Sequence, residues 1–433
     1  MYYITNRKIV NNPNTADVSL INYQEFTLPN NLRVILSRDD SIPSVALNLT
    51  YHVGSKDELI GQKGFAHLIE HLMFEGSPNL AAGEYDRLTV ERGCESNAYT
   101  TEDKTCYYIV APSNQTEFIL WLESNRLRGL DITEETIEIQ KNIILEEKKQ
   151  LCDNRPYGSF SFELPPRLFG SGSYATDVLG LENDIRNAEF QEIIKFYNNY
   201  YRPDNLVLTI SGDIEIDNTY KLIEKYFSDI LPENIMNRPV YHSSDVNSEI
   251  HDIIYDNIHL PAIFISYIAP KENSEESYAF DTLTGILSSG ESSWLNKNLV
   301  RDCRLANDTS AWYESRECSG VFTIYASLLP ETKPYEVIKK INEILQKLKD
   351  GLISDSDMER VKNRIETRNV FLKSTNISKA DMLSHYKIFY NDVSEINSIS
   401  MKYNSVTISY LRDVAHRYLN GDKRVILEYH TKN

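Results

Sequence analysis

The chain has 433 residues, 41% of them hydrophobic and 25% charged, which is apolar material enough for more than one core. Its formal net charge of −18 argues against nucleic acid or anionic membranes as partners, since both demand basic patches; the acidity serves solubility or favours basic partners. No run approaches a membrane span, the N-terminal residues lack a signal-like apolar stretch, and Cys94, Cys106, Cys152, Cys303 and Cys318 show no C-x-x-C spacing, so a reducing, cytoplasmic setting without a disulfide framework is expected.

In chain order, Gln24–Leu28 and Leu32–Leu36 flank the turn-rich Pro29-Asn30-Asn31 and predict a hairpin. Val45, Leu47, Leu49 and Tyr51 alternate with Ala46, Asn48 and Thr50, the period-2 pattern of a strand ending near Gly54. Gly64–Glu75 reads as a helix, 81–92 as another, and Glu95–Thr100 and Cys106–Val110 as strands. Helices are predicted over 116–127 and from Thr133, where Thr133 can cap and Glu134 and Glu135 complement the helix dipole. A helix over 191–200 leads to a strand at 206–211. The order helix, polar turn, strand returns at 409–429, which hints at an internal duplication. Residues 232–250 carry Pro232 and Pro239 with little periodicity and read as a linker between 1–231 and 251–433. Each half mixes hairpins with helices, so the expected class is α+β rather than a doubly wound parallel sheet.

The chemistry concentrates in the Gly64–Glu75 helix, which spells His-x-x-Glu-His. His67 and His71 lie one turn apart, so both imidazoles can converge on one metal ion beside Glu70, while Phe65, Leu68, Ile69, Leu72 and Met73 form an apolar stripe opposite. The plain alternative is a buried helix whose histidines are hydrogen-bonded core residues. On the later helix, Gln140, Ile143, Ile144, Glu147 and Leu151 share a face, placing Glu147 in a largely apolar stripe that a bound metal would explain. Two imidazoles and a carboxylate are a ligand set for zinc with one position left open, as catalytic zinc requires. A closed structural site would need a fourth ligand, and neither Cys94 nor Cys106 sits in a ligand-spaced pair. Glu70 is then placed to take a proton from water and pass it to a leaving amine, which implies peptide-bond hydrolysis.

These residues resemble the inverted zinc peptidases of the pitrilysin and insulinase type, especially the bacterial members similar to mitochondrial processing peptidase. The resemblance runs through Leu28–Val34, Gly54-Ser55 with Glu58, Gly64-x-Ala66-His67-x-x-Glu70-His71-x-x-Phe74-x-Gly76 and Asn97-Ala98-x-Thr100. It continues in Ile144–Glu147, Tyr200-Tyr201-Arg202-Pro203-x-Asn205 and Gly212-Asp213. In that family the third zinc ligand is a glutamate about 75 residues beyond the second histidine. Glu147 lies 76 beyond His71, and the family's pattern favours it over its neighbour Glu146. The resemblance implies one zinc ion per chain and two similar α/β-sandwich halves, each an antiparallel-rich sheet covered by helices. It further implies short or unfolded polypeptides as substrates, added as a strand along Asn97, Ala98, Tyr99 and Thr100.

Two departures from the family pattern bear on function. The family commonly has a further glutamate seven residues before the third ligand; here it is Gln140, whose amide can still hydrogen-bond a ligand. In the second half, the arginine and tyrosine that hold substrate in the family fall on Val300 and Asn307, with Arg301 or Arg304 and Tyr313 as substitutes if the register is shifted. The expected function is therefore a zinc endopeptidase acting as the metal-bearing subunit of a dimer, preferably a heterodimer whose homologous partner supplies Arg and Tyr. The alternative is a non-catalytic assembly subunit.

Overall fold

The strand alternation read in the sequence develops into two sheets in the computed structural model, which describes residues 8–10, 20–152, 154–232, 236–242 and 246–432. In the first sheet, β1 (Lys8–Val10), β2 (Tyr23–Thr27), β3 (Arg33–Arg38), β4 (Ser44–Tyr51), β5 (Glu95–Thr100), β6 (Thr105–Pro112) and β7 (Leu206–Gly212) take the order β1-β2-β3-β7-β4-β6-β5. The expected β2–β3 hairpin forms, with Asn31 at φ 67 in its turn. In the second sheet, β8 (Ile250–Asp256), β9 (Ala262–Ala269), β10 (Ala306–Glu314), β11 (Gly320–Leu328) and β12 (Val425–Thr431) run β10-β11-β9-β12-β8.

The order β3-β7-β4-β6-β5 maps onto β8-β12-β9-β11-β10, strand for strand. In each sheet the first two strands of that series are the parallel pair and every other neighbour is antiparallel. The duplication hinted at by the chain ends is thus a repeated topology, and the α+β class with two similar halves holds.

One face of β4 buries Val45, Leu47, Leu49 and Tyr51 in a core shared with α1 (Phe65–Glu75) and α3 (Thr116–Arg128). Between them α2 (Glu84–Glu91) starts later than 81 because Gly83, at φ 77, holds a left-handed turn there. α4 (Glu134–Cys152) then carries Glu147, and α5 (Phe160–Phe169) follows. Ile143 does not share the inward face expected of it: it is 46% exposed, and the buried stripe of α4 narrows to Ile137, Gln140, Lys141 and Ile144. Among the described residues no helix is long and apolar enough to cross a membrane.

By packing, the chain forms two compact units that exchange segments. Residues 1–147, 178–240 and 369–398 make one, and 148–177, 241–368 and 399–433 the other. The boundary at 240/241 falls inside the 232–250 stretch, of which 233–235 and 243–245 lie outside the described residues. Contiguous halves 1–231 and 251–433 describe the order of the sequence; the exchange arises because each sheet has a second face to bury. In the first unit that face is polar, with Asn48, Thr50, Thr209 and Ser211 fully buried. The helix Asn376–His385 satisfies it: Ser384 donates to Thr209 at 2.8 Å, and Asn376 Nδ2 donates to the Ser44 carbonyl at 3.3 Å. In the second unit the corresponding face is apolar, and α5 covers it with Leu164, Leu168 and Phe169; the Phe160 ring stacks on Phe264 at 4.3 Å. Leu168→Ala should therefore cost about 2–5 kcal/mol. Hydrogen exchange should rise in β9 and β12 while β4 and β7 keep their protection; faster exchange in β4 and β7 alone would contradict this assignment of α5.

Candidate metal centre

Histidine side chains reach a metal only if their helix is seated accurately, and α1 is held at both ends. Its N-terminal N–H groups have no hydroxyl cap. The Glu58 carboxylate substitutes, accepting from Gly64 N and Ala66 N at 2.9 Å each. Burial pushes Glu58 up, to about 8, against the Lys63 ammonium and these two donors. Gly64 has φ 105 and Gly180 φ 70; a Cβ on Gly180 would lie 2.2 Å from the Lys63 carbonyl oxygen and 2.4 Å from the Gly64 Cα, so only glycine lets this loop abut the helix start. At the other end, buried Arg126 donates to the Met73 carbonyl at 3.2 Å and pairs with Glu123 at 3.0 Å. Its guanidinium stacks at 4.4–4.6 Å on Phe74, Tyr85 and Tyr107. The five residues of the predicted apolar stripe are all buried in the core.

This seating brings together the three residues expected as ligands. One donor atom from each of His67, His71 and Glu147 lies within 4.8 Å of the others; among the described residues no other trio of His, Cys, Asp or Glu does this. Glu147 Oε2 is 3.8 Å from His67 Nε2 and 3.7 Å from His71 Nε2. Three ligands on tetrahedral zinc, with bonds of about 2.0–2.1 Å, lie roughly 3.4 Å apart, so the two Glu147–imidazole spacings need contract by only a few tenths of an ångström. Burial, reinforced by His71, drops His67 to about 3, leaving its imidazole neutral as a ligand must be. The donor set and its charge state fit a zinc ion. Glu147 is not inward-pointing as expected: its side chain is 37% exposed, and that of His71 23%, so the centre opens to solvent on this side. Glu146 is exposed.

Glu70 lies about one turn from His67 and next to His71 on α1, 8% exposed. Burial pushes its carboxyl up, opposed by the Thr100 hydroxyl bond and aided by the Glu147 charge, to about 7. Thr100 donates that bond from β5, so its side chain serves Glu70. Gln140 sits against His71, its Oε1 3.2 Å from Nδ1. β5 is the terminal strand of its sheet. The bond from Thr101 N to Lys104 O sets the phase of its ladder with β6, which turns the backbone groups of Ser96, Ala98 and Thr100 to the free edge. Asn97 Oδ1 accepts from the Ala98 N–H at 2.8 Å, and Tyr99 turns its hydroxyl away to Asp381. In the second unit, Val300 packs against the core and exposed Asn307 is the unpaired residue of a bulge in β10. Tyr313 is committed elsewhere, its hydroxyl donating to Pro270 O at 2.6 Å, while Arg301 and Arg304 are exposed. The sequence assigned no role to Glu58, Arg126 or Glu75; the signals for Glu58 were its place in the family resemblance and a carboxylate seven residues before the helix. Glu58→Ala should orphan two buried N–H groups and lower stability by about 2–3 kcal/mol, with Glu58→Gln near half that loss, read as denaturant midpoints.

Comparison with known proteins agrees with this geometry. Residues 33–157 match the family model described as Insulinase (Peptidase family M16), and 187–365 match the one described as Peptidase M16 inactive domain. The zinc protease PqqE of Helicobacter pylori is 27% identical over 409 residues, 93% of this chain and 91% of that protein. An uncharacterized zinc protease of Bacillus subtilis, YmxG, is 23% identical over 389 residues, 88% of this chain and 93% of that one. A solved protease structure from Helicobacter pylori aligns with TM-score 0.89 at 25% identity, covering 95% of this chain and 100% of that one. With both halves matched in order and the histidine pair on the half that matches the insulinase model, the chain belongs to the insulinase (M16) family of zinc peptidases.

Proposed function

We propose that this chain is a zinc-dependent endopeptidase that hydrolyses peptide bonds in short or unfolded polypeptides. The observation that carries the reading is the convergence of His67, His71 and Glu147, with Glu70 between the two histidines on α1. A zinc ion held there would supply Lewis acidity, polarising the scissile carbonyl and acidifying water. Glu70 accepts the proton of the attacking water and hands it to the leaving amine, with the Thr100 hydroxyl fixing which carboxylate oxygen is free to do so. The free edge of β5 receives the substrate as an added strand, pairing with Ala98 once the Asn97 side chain swings off its N–H. In this reading 1–231 is the zinc-bearing domain and 251–433 its homologue.

The chain works as the metal-bearing member of a dimer whose homologous subunit supplies the arginine and tyrosine. Support comes from Val300 and Asn307 at the positions where the family has those residues, and from the engagement of Tyr313 with Pro270. The other reading, a non-catalytic assembly subunit, draws on the same two positions and separates on metal content. Glu70→Gln should retain stoichiometric zinc and lose about 10²–10⁴-fold in peptide cleavage, whereas His67→Ala should lose both. Wild-type protein that binds no zinc would favour the assembly subunit. Cleavage by the chain alone that a homologous subunit leaves unchanged would remove the dimer from the account.

A further inference from the structure

We propose that Glu75 is a positioning residue for the metal centre, acting through Gln140 to fix the tautomer of His71. The inference rests on the zinc reading above but concerns a residue outside the ligand set. Gln140 is 6% exposed and spans two partners: its Nε2 donates to Glu75 Oε1 at 2.6 Å, and its Oε1 faces His71 Nδ1 at 3.2 Å. An ionised carboxylate only accepts, so the Glu75 side can take only the NH₂ end of the amide. A reversed amide would set two acceptors against each other. The oxygen therefore faces the imidazole, Nδ1 must carry the hydrogen, and the lone pair is left on Nε2, the nitrogen 3.7 Å from Glu147. A glutamine alone could present either end, and Glu75 removes that freedom.

Two further features single out Glu75. It occupies the last turn of α1, where the helix dipole disfavours an anion and no basic residue of the helix accompanies it. A local preference broken at this place needs a compensating role, and orienting Gln140 is one. His67, by contrast, has its Nδ1 buried without a hydrogen-bond partner among the described residues, so side-chain control of tautomer in the centre falls to the Glu75–Gln140 pair. A glutamine at 140 thereby serves a histidine ligand without adding a third carboxylate beside Glu70 and Glu147.

The test uses full-length protein with ¹⁵N-labelled histidine and zinc itself as ligand. Metal-free wild type should show His71 protonated at Nδ1. Glu75→Leu should give a tautomer mixture and weaken zinc binding about 10-fold or more in chelator competition, whereas Glu75→Gln, which offers an acceptor oxygen but can also present its NH₂ end, should recover both only in part. Adding Glu75→Leu to Gln140→Leu should change neither readout further, because the path runs through the amide. An unchanged tautomer in Glu75→Leu, or an equal additional loss of zinc affinity in the Gln140→Leu background, would overturn the proposal. Wild type that binds no zinc would instead sink the endopeptidase reading, and the metal-free tautomer would still judge this one.

Discussion

Everything chemical in this chain depends on how one eleven-residue helix is seated. α1 carries His67, Glu70 and His71, and it is clamped by the Glu58 carboxylate on its first N–H groups, by Gly180 against Gly64, and by buried Arg126 on the Met73 carbonyl. These contacts act on the backbone at opposite ends, so the side chains between them are aimed by the core rather than by one another. Buried charge of this kind stabilises only when its partners are complete, as the Glu123 pairing and three aromatic faces around Arg126 illustrate. Rigid support beneath and an open side at Glu147 suit a centre that a ligand must reach from solvent.

The same logic explains the segment exchange. A sheet with both faces to bury needs cover on each, and the local helices of each half supply only one layer. The chain completes each second layer with a segment from the other half of the sequence: polar against polar where Asn376–His385 meets Asn48 and Thr209, apolar against apolar where α5 meets Phe264 and Tyr429. The chemical difference between those two faces gives each sheet one matching cover.

Much of this was legible in the sequence because it is periodic. The alternation of β4 and the stripe of α1 are carried by residues whose positions alone state their faces, while the link from His71 to Glu147, 76 residues on, rested on the family resemblance. What was not legible depends on contacts between distant segments. Ile143 follows the period of a buried face yet lies outside it, because the neighbouring elements cover only the Gln140–Ile144 side of α4. α5 contains Pro165-Pro166, which argue against a helix, and it forms under an apolar face that supplies the packing those prolines do not oppose. Glu75 and Arg126 look like ordinary surface charges in one dimension; only folding brings Gln140 to one and three aromatic rings to the other.

The most direct test of the central claim is zinc K-edge X-ray absorption of the loaded full-length chain. Two imidazole nitrogens and an oxygen-rich remainder at about 2.0–2.1 Å are expected, with the imidazole multiple-scattering signature falling to about half in whatever zinc His71→Ala still binds. Sulfur scattering near about 2.3 Å, or a spectrum indifferent to His71, would contradict it.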